Sequence, residues 1–420
     1  MIEVKVPFYK ANILIPKNID MHKWSVVACD QYTSEPHYWQ EVERIVGDSP
    51  STLNLTLPEV YLEENGVEKR ISNINHNMED LLNQKIFQEY KDSMIYIERK
   101  QNDGRIREGI IGMVDLEDYS FEEGSQTLIR ATEKTVLERI PPRVKVRENA
   151  SLELPHIMIL IDDDKKEIIE NIKKDVTEKI YDFELMKKGG HIKGYKVPDR
   201  TTDRVLKQLE HLADQKVFEE KYDVKNKGVL LFAMGDGNHS LATAKTCYEN
   251  LKKKLTKEEY LSHPARYALV EIVNLHSDAL EFEAIHRVLF DVDIENLLKE
   301  LKEYYKINED GKGQKFKIIT KDEEKTFYIE NPNSNIAVGS IQIFLDEYLK
   351  THKGKIDYVH GGETVRELSK HDNNLGIILD PMKKEELFKT VIVDGALPRK
   401  TFSMGHGHDK RFYLEARKIK

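Results

Sequence analysis

Hydrophobic and polar positions along the first 150 residues predict a mixture of helices and strands. Apolar residues recur at helical spacing in three stretches, 35–46, 78–89 and 127–139. They alternate with polar residues in two stretches, 93–99 and 108–115, on either side of the turn signal Asn102-Asp103-Gly104. This alternation predicts a β-hairpin. Because proline rings bar a helix from continuing, we expect Pro141-Pro142 to end the third helix.

After residue 150 the pattern switches repeatedly between short apolar runs and helical spacing. A buried strand is predicted at His156–Ile161, followed by two short strands around Gly189-Gly190. Further strands are predicted at 229–234, 267–275, 310–330 (a hairpin), 356–359 and 375–379. Helices are predicted at 164–178, 200–215, 240–254, 294–305, 340–350, 363–370 and 383–390. We expect an α+β fold with mixed sheets and flanking helices, in two sections, 1–150 and 151–420.

Composition narrows the class of protein. The 420 residues are 39% hydrophobic and 33% charged, with a net charge of −9. Such a chain can build substantial cores, and it lacks the positive field of a dedicated nucleic-acid binder. The two cysteines, Cys29 and Cys247, are too few for a disulfide scaffold. With no secretory signal or long apolar stretch, we expect a cytoplasmic protein without membrane contact, and a homo-oligomer is one option for its assembly.

The segment that points most clearly to chemistry is Gly235-Asp236-Gly237-Asn238-His239-Ser240, between an apolar strand and an alanine-rich helix. Gly235 and Gly237 permit a tight turn and let a ligand approach the backbone. The start of the following helix presents unpaired N–H groups that suit a phosphate or carboxylate. Asp236 and His239 add a carboxylate and an imidazole, which could bind a metal ion or move a proton. The alternative is that Asp236 or Asn238 only caps the helix.

This segment, with the Leu241–Ala244 run after it, resembles the signature of the family called domain of unknown function 1015. Four other stretches resemble motifs of the same family: Asn54–Glu59, Arg130–Glu133, Glu283–Leu289 and Pro398–Phe402. Ala131-Thr132 departs from the family pattern. The resemblance covers about residues 10–405, and the family name assigns no activity.

A second resemblance is to the Asp-Gly-x-His-Arg signature of the ParB/sulfiredoxin-like fold, whose members bind nucleotides and include free-serine kinases. It implies a core of that fold, a loop that contacts phosphate, and acidic residues that act as catalytic base or magnesium ligand. Ser240 stands here where that signature has arginine, which removes a cation from the phosphate. Arg130, Arg287 and Lys400 are our candidates for the replacement.

Other residues allow a functional and a structural interpretation. Arg130 and Glu133 share a face of the predicted helix, either in the site or as an exposed ion pair. His286 is a ligand-binding or a core histidine. Asp30 is a candidate pocket residue, and Cys29 would need a nearby base to act as a nucleophile. The His406-Gly407-His408-Asp409 stretch could chelate a transition metal with a further ligand brought in by the fold.

Together these features predict a phosphotransferase for a small polar metabolite, with a serine-like substrate as the best analogy. Asp236 and His239 form its catalytic core, the 235–240 turn holds phosphate, and Glu133 is general base or magnesium ligand. Such a reaction uses Mg²⁺ with ATP or ADP, and Asp236 and Glu133 are the predicted metal ligands. Two alternatives stay open: a regulatory protein that binds a nucleotide or metabolite without turnover, and a hydrolase or lyase in which His239 and Asp236 are an acid–base pair.

Overall fold

The computed structural model describes residues 5–33, 35–62 and 64–420, which divide into two units. Unit 1 comprises the described residues of Met1–Ala131, Thr135–Leu280 and His406–Lys420. Unit 2 comprises Thr132–Lys134 and Glu281–Gly405. The section boundary predicted near residue 150 lies inside unit 1, and the C-terminal residues return to that unit.

Both units mix strands and helices, which confirms the α+β class. The strands are β1 (Phe8–Tyr9), β2 (Ala11–Pro16), β3 (Phe87–Ser93), β4 (Ile95–Lys100), β5 (Ile106–Asp115), β6 (Tyr119–Ser120), β7 (Ile129–Arg130), β8 (Leu152–Glu153), β9 (Met158–Ile161), β10 (Lys179–Glu184), β11 (His191–Lys196), β12 (Phe232–Asp236), β13 (Tyr267–Asn274), β14 (Phe282–Phe290), β15 (Ile307–Asn308), β16 (Gln314–Ile319), β17 (Glu324–Ile329), β18 (Lys355–His360), β19 (Leu375–Leu379), β20 (Phe402–Met404) and β21 (Arg417–Lys418).

The helices lie between these strands. They are α1 (Met21–Trp24), α2 (Pro36–Val46), α3 (Val67–Asn83), α4 (Ile140–Arg147), α5 (Asp199–Leu212), α6 (Gln215–Tyr222), α7 (Asn238–Lys252), α8 (Lys257–Ser262), α9 (Ile294–Tyr304), α10 (Ala337–Thr351), α11 (Gly362–Leu368) and α12 (Lys384–Asp394). None of the helices in the described residues has the length and apolar character needed to cross a membrane.

Unit 1 is organised around a ten-stranded mixed sheet in the order β10-β11-β4-β5-β13-β9-β12-β7-β6, with β1 paired to β5. The strand β9 pairs antiparallel with β12 and parallel with β13, and all four of its residues are buried. Strands buried on both faces read as continuous apolar runs, which is why the sequence identifies this strand. The unit's apolar core includes the fully buried indoles of Trp24 and Trp39.

Unit 2 contains a seven-stranded sheet in the order β15-β17-β16-β19-β14-β18, with β20 paired to β14. The predicted hairpin at 310–330 is β16 and β17, which pair antiparallel in register from Gln314–Ile329 to Ile319–Glu324. The predicted strand at 375–379 is β19. Alternation and turn residues therefore predict these elements correctly.

Two predicted helices are wrong, and a third has different bounds. Residues 127–139 contain the short strand β7, and Pro141-Pro142 lie in the first turn of α4 instead of ending a helix. Proline is favoured there because the first N–H groups of a helix have no intrahelical partner to lose. Residues 164–178 contain only a 3-10 turn, Ile172–Lys174. The helix predicted at 78–89 is α3, which ends at Asn83 before β3 begins.

Candidate functional site

The turn between β12 and α7 carries the segment singled out in the sequence. Phe232, Ala233 and Met234 are fully buried in the sheet, and the pairing of β12 with β9 shifts register between Met234 and Asp236. Such a bulge re-aims the side chain that follows it. Asp236 therefore ends the strand at the start of α7, where its Oδ1 accepts a hydrogen bond from Gly237 N at 3.1 Å.

Gly237 is required at the start of α7 for two reasons. Its φ of 81° is in the left-handed region, which favours glycine, and an added Cβ would lie 3.1 Å from Ile157 Cα. The helix has Gly237 at its N-cap with no side-chain capping bond. The structural alternative, in which Asp236 or Asn238 caps the helix, is therefore wrong.

Three polar side-chain atoms in this turn are buried and lack a hydrogen-bond partner within the described residues: Asp236 Oδ2, Asn238 Oδ1 and His239 Nε2. Buried polar atoms are usually paired, so each would gain from a ligand or an enclosed water. Lys410 Nζ lies 3.5 Å from Asp236 Oδ2 and is the nearest cation that the structure places against this carboxylate. Burial, together with Arg143 and Arg139, lowers the pKa of His239 to about 4, so its imidazole is neutral at pH 7.

His156, two residues before β9, connects the turn to other parts of unit 1. Its Nε2 lies 3.2 Å from Ser240 Oγ and 3.6 Å from Asp30 Oδ2, and its Nδ1 lies 2.8 Å from the Tyr413 hydroxyl. Burial alone would lower the pKa of His156, but the attraction of Asp30 outweighs it and raises that pKa. Burial opposes ionisation of Asp30 as well, yet His156 lowers its pKa. The two side chains therefore form an ion pair beside Ser240.

The Tyr413 hydroxyl donates to Cys29 Sγ at 2.9 Å and accepts from Cys29 N at 3.2 Å. Burial and the nearby Asp30 carboxylate raise the pKa of the Cys29 thiol, so it stays protonated. This environment does not favour Cys29 as a nucleophile. Asp30, by contrast, lies beside His156, and we refer to Asp30, His156, Ser240 and Tyr413 as the polar cluster. The role of Asp30 as a pocket residue stays a prediction.

Behind Ser240 and His156 lies a cavity of about 140 Å³. Its wall is mostly apolar and includes Leu57, Val146 and Ile157, with Glu59 and Arg143 as an ion pair. Burial raises the pKa of Glu59 even with Arg143 beside it. One side of the polar cluster thus faces a small, largely apolar space.

Arg130 lies in unit 1 but is structural in its contacts. It is 2% exposed and donates to the carbonyl oxygens of Thr127, Gly228 and Val229 at 2.7, 2.5 and 3.0 Å. Burial lowers its pKa to about 10. The predicted helical face shared with Glu133 does not exist, because Arg130 ends β7.

Glu133, Arg287 and Lys400 belong to unit 2. Arg287 is fully buried, donates to Gln342 Oε1 at 3.1 Å, and packs over the Tyr358 ring. Burial lowers the pKa of Arg287 to about 10, although Tyr358 and Glu133 oppose this. These contacts do not support Arg287 as a phosphate ligand, whereas Lys400 is exposed.

His286, also in unit 2, accepts a hydrogen bond from Leu379 N at 3.3 Å, which favours its interpretation as a core histidine.

Metal ligands are sparse in the described part of the chain. No three His, Cys, Asp or Glu side chains there meet closely enough to hold a metal ion. His406 and His408 stack with ring centroids 5.4 Å apart, and His408 Nε2 lies 3.7 Å from Asp409 Oδ2. Near the turn, Asp236 Oδ2 has no hydrogen-bond partner among the described residues, although Lys410 Nζ lies 3.5 Å from it. One carboxylate suits Mg²⁺ only when substrate phosphates supply further oxygens.

Sequence reasoning missed the residues that the fold brings to the turn from elsewhere. Lys410 and Tyr413 come from the C-terminal segment, and His156 was assigned only to a strand. The sequence signal for that segment is the short apolar run 412–414, with the charged residues Arg411, Glu415 and Arg417 around it. Nothing in that run indicates which part of the fold it contacts.

Comparisons with known proteins identify a family and distant folds. The family model described as "protein of unknown function (DUF1015)" matches residues 13–348. A comparison with the curated proteins gives no match.

Solved structures similar to this chain include a free serine kinase mutant in complex with AMP, with 12% identity, a TM-score of 0.39, and 73% of this chain and 90% of that one covered. A conserved hypothetical protein from Pyrococcus furiosus matches with 12% identity, a TM-score of 0.36, and coverage of 73% and 94%. SbnI from Staphylococcus aureus, truncated at its C-terminus, matches with 8% identity, a TM-score of 0.36, and coverage of 70% and 82%. Likenesses this distant carry no inference about activity.

Proposed function

The chain belongs to the DUF1015 family, and we propose that it is a phosphotransferase that acts on a small, hydroxyl-bearing polar metabolite, with serine-like compounds as the first candidates. The observation that carries this proposal is the group of unpaired, buried polar atoms at the start of α7, beside Lys410. Phosphoryl transfer requires the protein chiefly to position two substrates and to neutralise charge.

In this proposal the first turn of α7 binds phosphate. The first N–H groups of a helix lack intrahelical partners and carry partial positive charge. The space beside Gly237 is filled by Ile157, so in this proposal the N–H groups of the turn bind the phosphate. Lys410 supplies the full positive charge that Ser240 does not. Lys410 thereby takes the role that the sequence suggested for Arg130, Arg287 or Lys400.

Asp236 is the proposed proton acceptor. The terminal phosphoryl group leaves the bridging oxygen of the nucleotide and joins the hydroxyl oxygen of the metabolite, whose proton passes to the Asp236 carboxylate. The neutral imidazole of His239 accepts or donates a hydrogen bond to orient the substrate. Mg²⁺ bound with ATP or ADP would take Asp236 as its protein ligand and would neutralise phosphate charge. The role of Glu133 as a second carboxylate stays a prediction.

The test combines turnover with two variants. The protein is incubated with Mg²⁺, ATP or ADP and a panel of hydroxyl metabolites that begins with L-serine, and new phosphoesters are followed by ³¹P NMR. We expect Asp236→Asn to reduce kcat about 10²-fold or more, and Lys410→Met to raise KM for the nucleotide. Asp310→Asn, at an exposed loop position, is the matched control.

A second function, binding without turnover, is favoured by one observation. Ser240 Oγ lies 3.2 Å from His156 Nε2, and its neutral hydroxyl does not supply a positive charge to phosphate. Nucleotide that raises Tm without any phosphoester product would select this regulatory function. Product release from a metabolite without nucleotide would select the hydrolase or lyase. If neither ATP nor ADP changes Tm or yields product with any metabolite, the phosphotransferase proposal is wrong.

A further inference from the structure

A second and larger concavity lies in unit 1 between α5 and the loop that follows β9. Its volume is about 900 Å³, within the range of small-molecule binding sites. It shares no lining residue with the cavity behind Ser240. We refer to it as the α5 cleft.

One face of α5 lines this cleft with basic side chains. Arg200, Arg204, Lys207 and His211 recur at helical spacing and all line the cleft. The opposite face buries Thr201, Thr202, Val205 and Leu209 in the unit. Because the buried face fixes the rotation of the helix, the basic face is held toward the cleft.

Arg204 is only partly paired. Its Nη1 donates to Asp175 Oδ2 at 2.6 Å, but its Nε and Nη2 have no hydrogen-bond partner among the described residues. The same is true of Gln208 Oε1, about one helical turn further along α5. The Nε–Nη2 edge of a guanidinium is the pair of donors that binds a carboxylate or phosphate through two parallel hydrogen bonds.

Two of the acidic side chains that line the cleft already contact donors of the protein. Asp163 accepts from Glu167 N and Ile168 N, both at 2.8 Å, and Asp164 lies 3.8 Å from Lys221 Nζ. Lys165 and Lys207 add positive charge to the wall. Glu167 and Asp203 are the remaining carboxylates of the lining, and both would repel an anion.

We propose that the α5 cleft is a second binding site, for a small molecule that carries a carboxylate or phosphate group. The Nε and Nη2 atoms are buried although the Arg204 side chain is 39% exposed, so this side chain must rotate toward the cleft for its Nε–Nη2 edge to bind the oxyanion. Arg200 and Lys207 neutralise further charge. This inference does not depend on phosphotransfer at the α7 turn.

The test is isothermal titration calorimetry of the full chain with two probes, inorganic pyrophosphate and citrate. We expect at least one probe to bind, with an affinity that falls as salt is added. Arg204→Lys keeps the charge but removes the two-donor edge, and should weaken binding about tenfold. Glu167→Gln removes a like charge and should tighten binding. Arg44→Lys is the matched control, because Arg44 is 80% exposed on α2 and lies outside the cleft.

The two probes separate the sources of the oxyanion. Binding of pyrophosphate alone indicates a phosphate-bearing compound, and binding of citrate alone indicates a carboxylate. Lys207→Ala, at an exposed position, should also weaken binding and guards against a folding defect in Arg204→Lys. Failure of both probes to bind at millimolar concentration would overturn the proposal. So would binding that Arg204→Lys leaves unchanged, or that only Lys410→Met abolishes, since the latter belongs to the α7 turn.

Discussion

His239 lies in the first turn of α7 and His156 contacts Ser240 of the same turn, yet their pKa values are shifted in opposite directions. The Asp30 carboxylate, 3.6 Å from His156 Nε2, favours the charged imidazole, whereas burial and two arginines favour the neutral form of His239. A shifted pKa makes stability depend on pH, because the folded and unfolded chains then bind different numbers of protons. The two histidines therefore predict two opposite pH effects.

For His156 the folded pKa lies above the ordinary value of 6.5. Its contribution to stability is fully present below pH 6.5 and is lost as pH rises through the higher folded pKa. We expect the free energy of unfolding lost in His156→Gln to be larger at pH 6 than at pH 9, measured by urea unfolding followed by tryptophan fluorescence. The reporters suit this measurement, because both tryptophans are buried in unit 1. An equal loss at both pH values would contradict the ion pair.

For His239 the sign is reversed. Its folded pKa of about 4 lies below 6.5, so the unfolded chain takes up the proton first and stability falls between pH 6.5 and 4. His239→Gln removes this term, and the variant should therefore gain stability relative to the natural protein as pH is lowered through that range. A difference between the two proteins that does not change with pH would show that His239 is not held neutral.

Among the elements, the β12–α7 turn depends most on a single glycine. Gly237 and Gly66 both stand at the N-cap of a helix with positive φ, 81° and 92°. A Cβ at Gly66 would meet nothing within 4 Å, whereas one at Gly237 would lie 3.1 Å from the backbone of Ile157. An alanine at Gly66 would therefore suffer backbone strain alone, whereas an alanine at Gly237 would suffer backbone strain and a steric contact.

We expect Gly66→Ala to cost about 1–2 kcal/mol, the strain of a left-handed alanine. Gly237→Ala should cost about 1 kcal/mol or more beyond that, since the main chain of Ile157 cannot move aside cheaply. Urea unfolding of both variants measures the difference. Equal costs would show that the turn has room for a side chain and would weaken the case for close packing at the site.

On the scale of the whole molecule, unit 1 is completed by residues from the far end of the chain. Arg411, 4% exposed, donates to Glu271 Oε2 at 2.9 Å and to Glu415 Oε2 at 2.5 Å. Arg417 likewise donates to the buried Glu153 at 2.6 Å. The same segment brings Lys410 and Tyr413 to the site. Folding of the C-terminal segment and formation of the site are therefore linked.

Arg411→Met tests this link. Removing Arg411 leaves Glu271 paired only with Arg107 and Glu415 bonded only to the neutral Tyr181 hydroxyl, so buried negative charge is in excess. We therefore expect a loss of about 3–5 kcal/mol in the unfolding of unit 1. Arg44→Met breaks an exposed pair with Glu41 and should cost less than about 1 kcal/mol. Tryptophan fluorescence during urea unfolding reports both. A loss below 1 kcal/mol for Arg411→Met would show that the segment is dispensable for unit 1.

The sequence by itself determined what local rules control. Apolar runs identified β9 and β13, helical spacing identified α2 and α9, and the Gly-Asp-Gly segment indicated the turn at the end of β12. These elements are predictable because burial on one or both faces imposes a period on neighbouring residues. The family motifs likewise lie in continuous stretches, so the family was visible before the fold.

Tertiary structure decided which distant residues meet. Asp30, His156, Lys410 and Tyr413 converge on the α7 turn from three separate parts of the chain, and no local period encodes that convergence. Tertiary structure also buries Arg130 and Arg287. Each donates hydrogen bonds there, because a buried guanidinium without hydrogen-bond acceptors would cost free energy. Tertiary structure also decided where α4 begins. Pro141 and Pro142, which in the sequence suggest the end of a helix, lie in the first turn of α4.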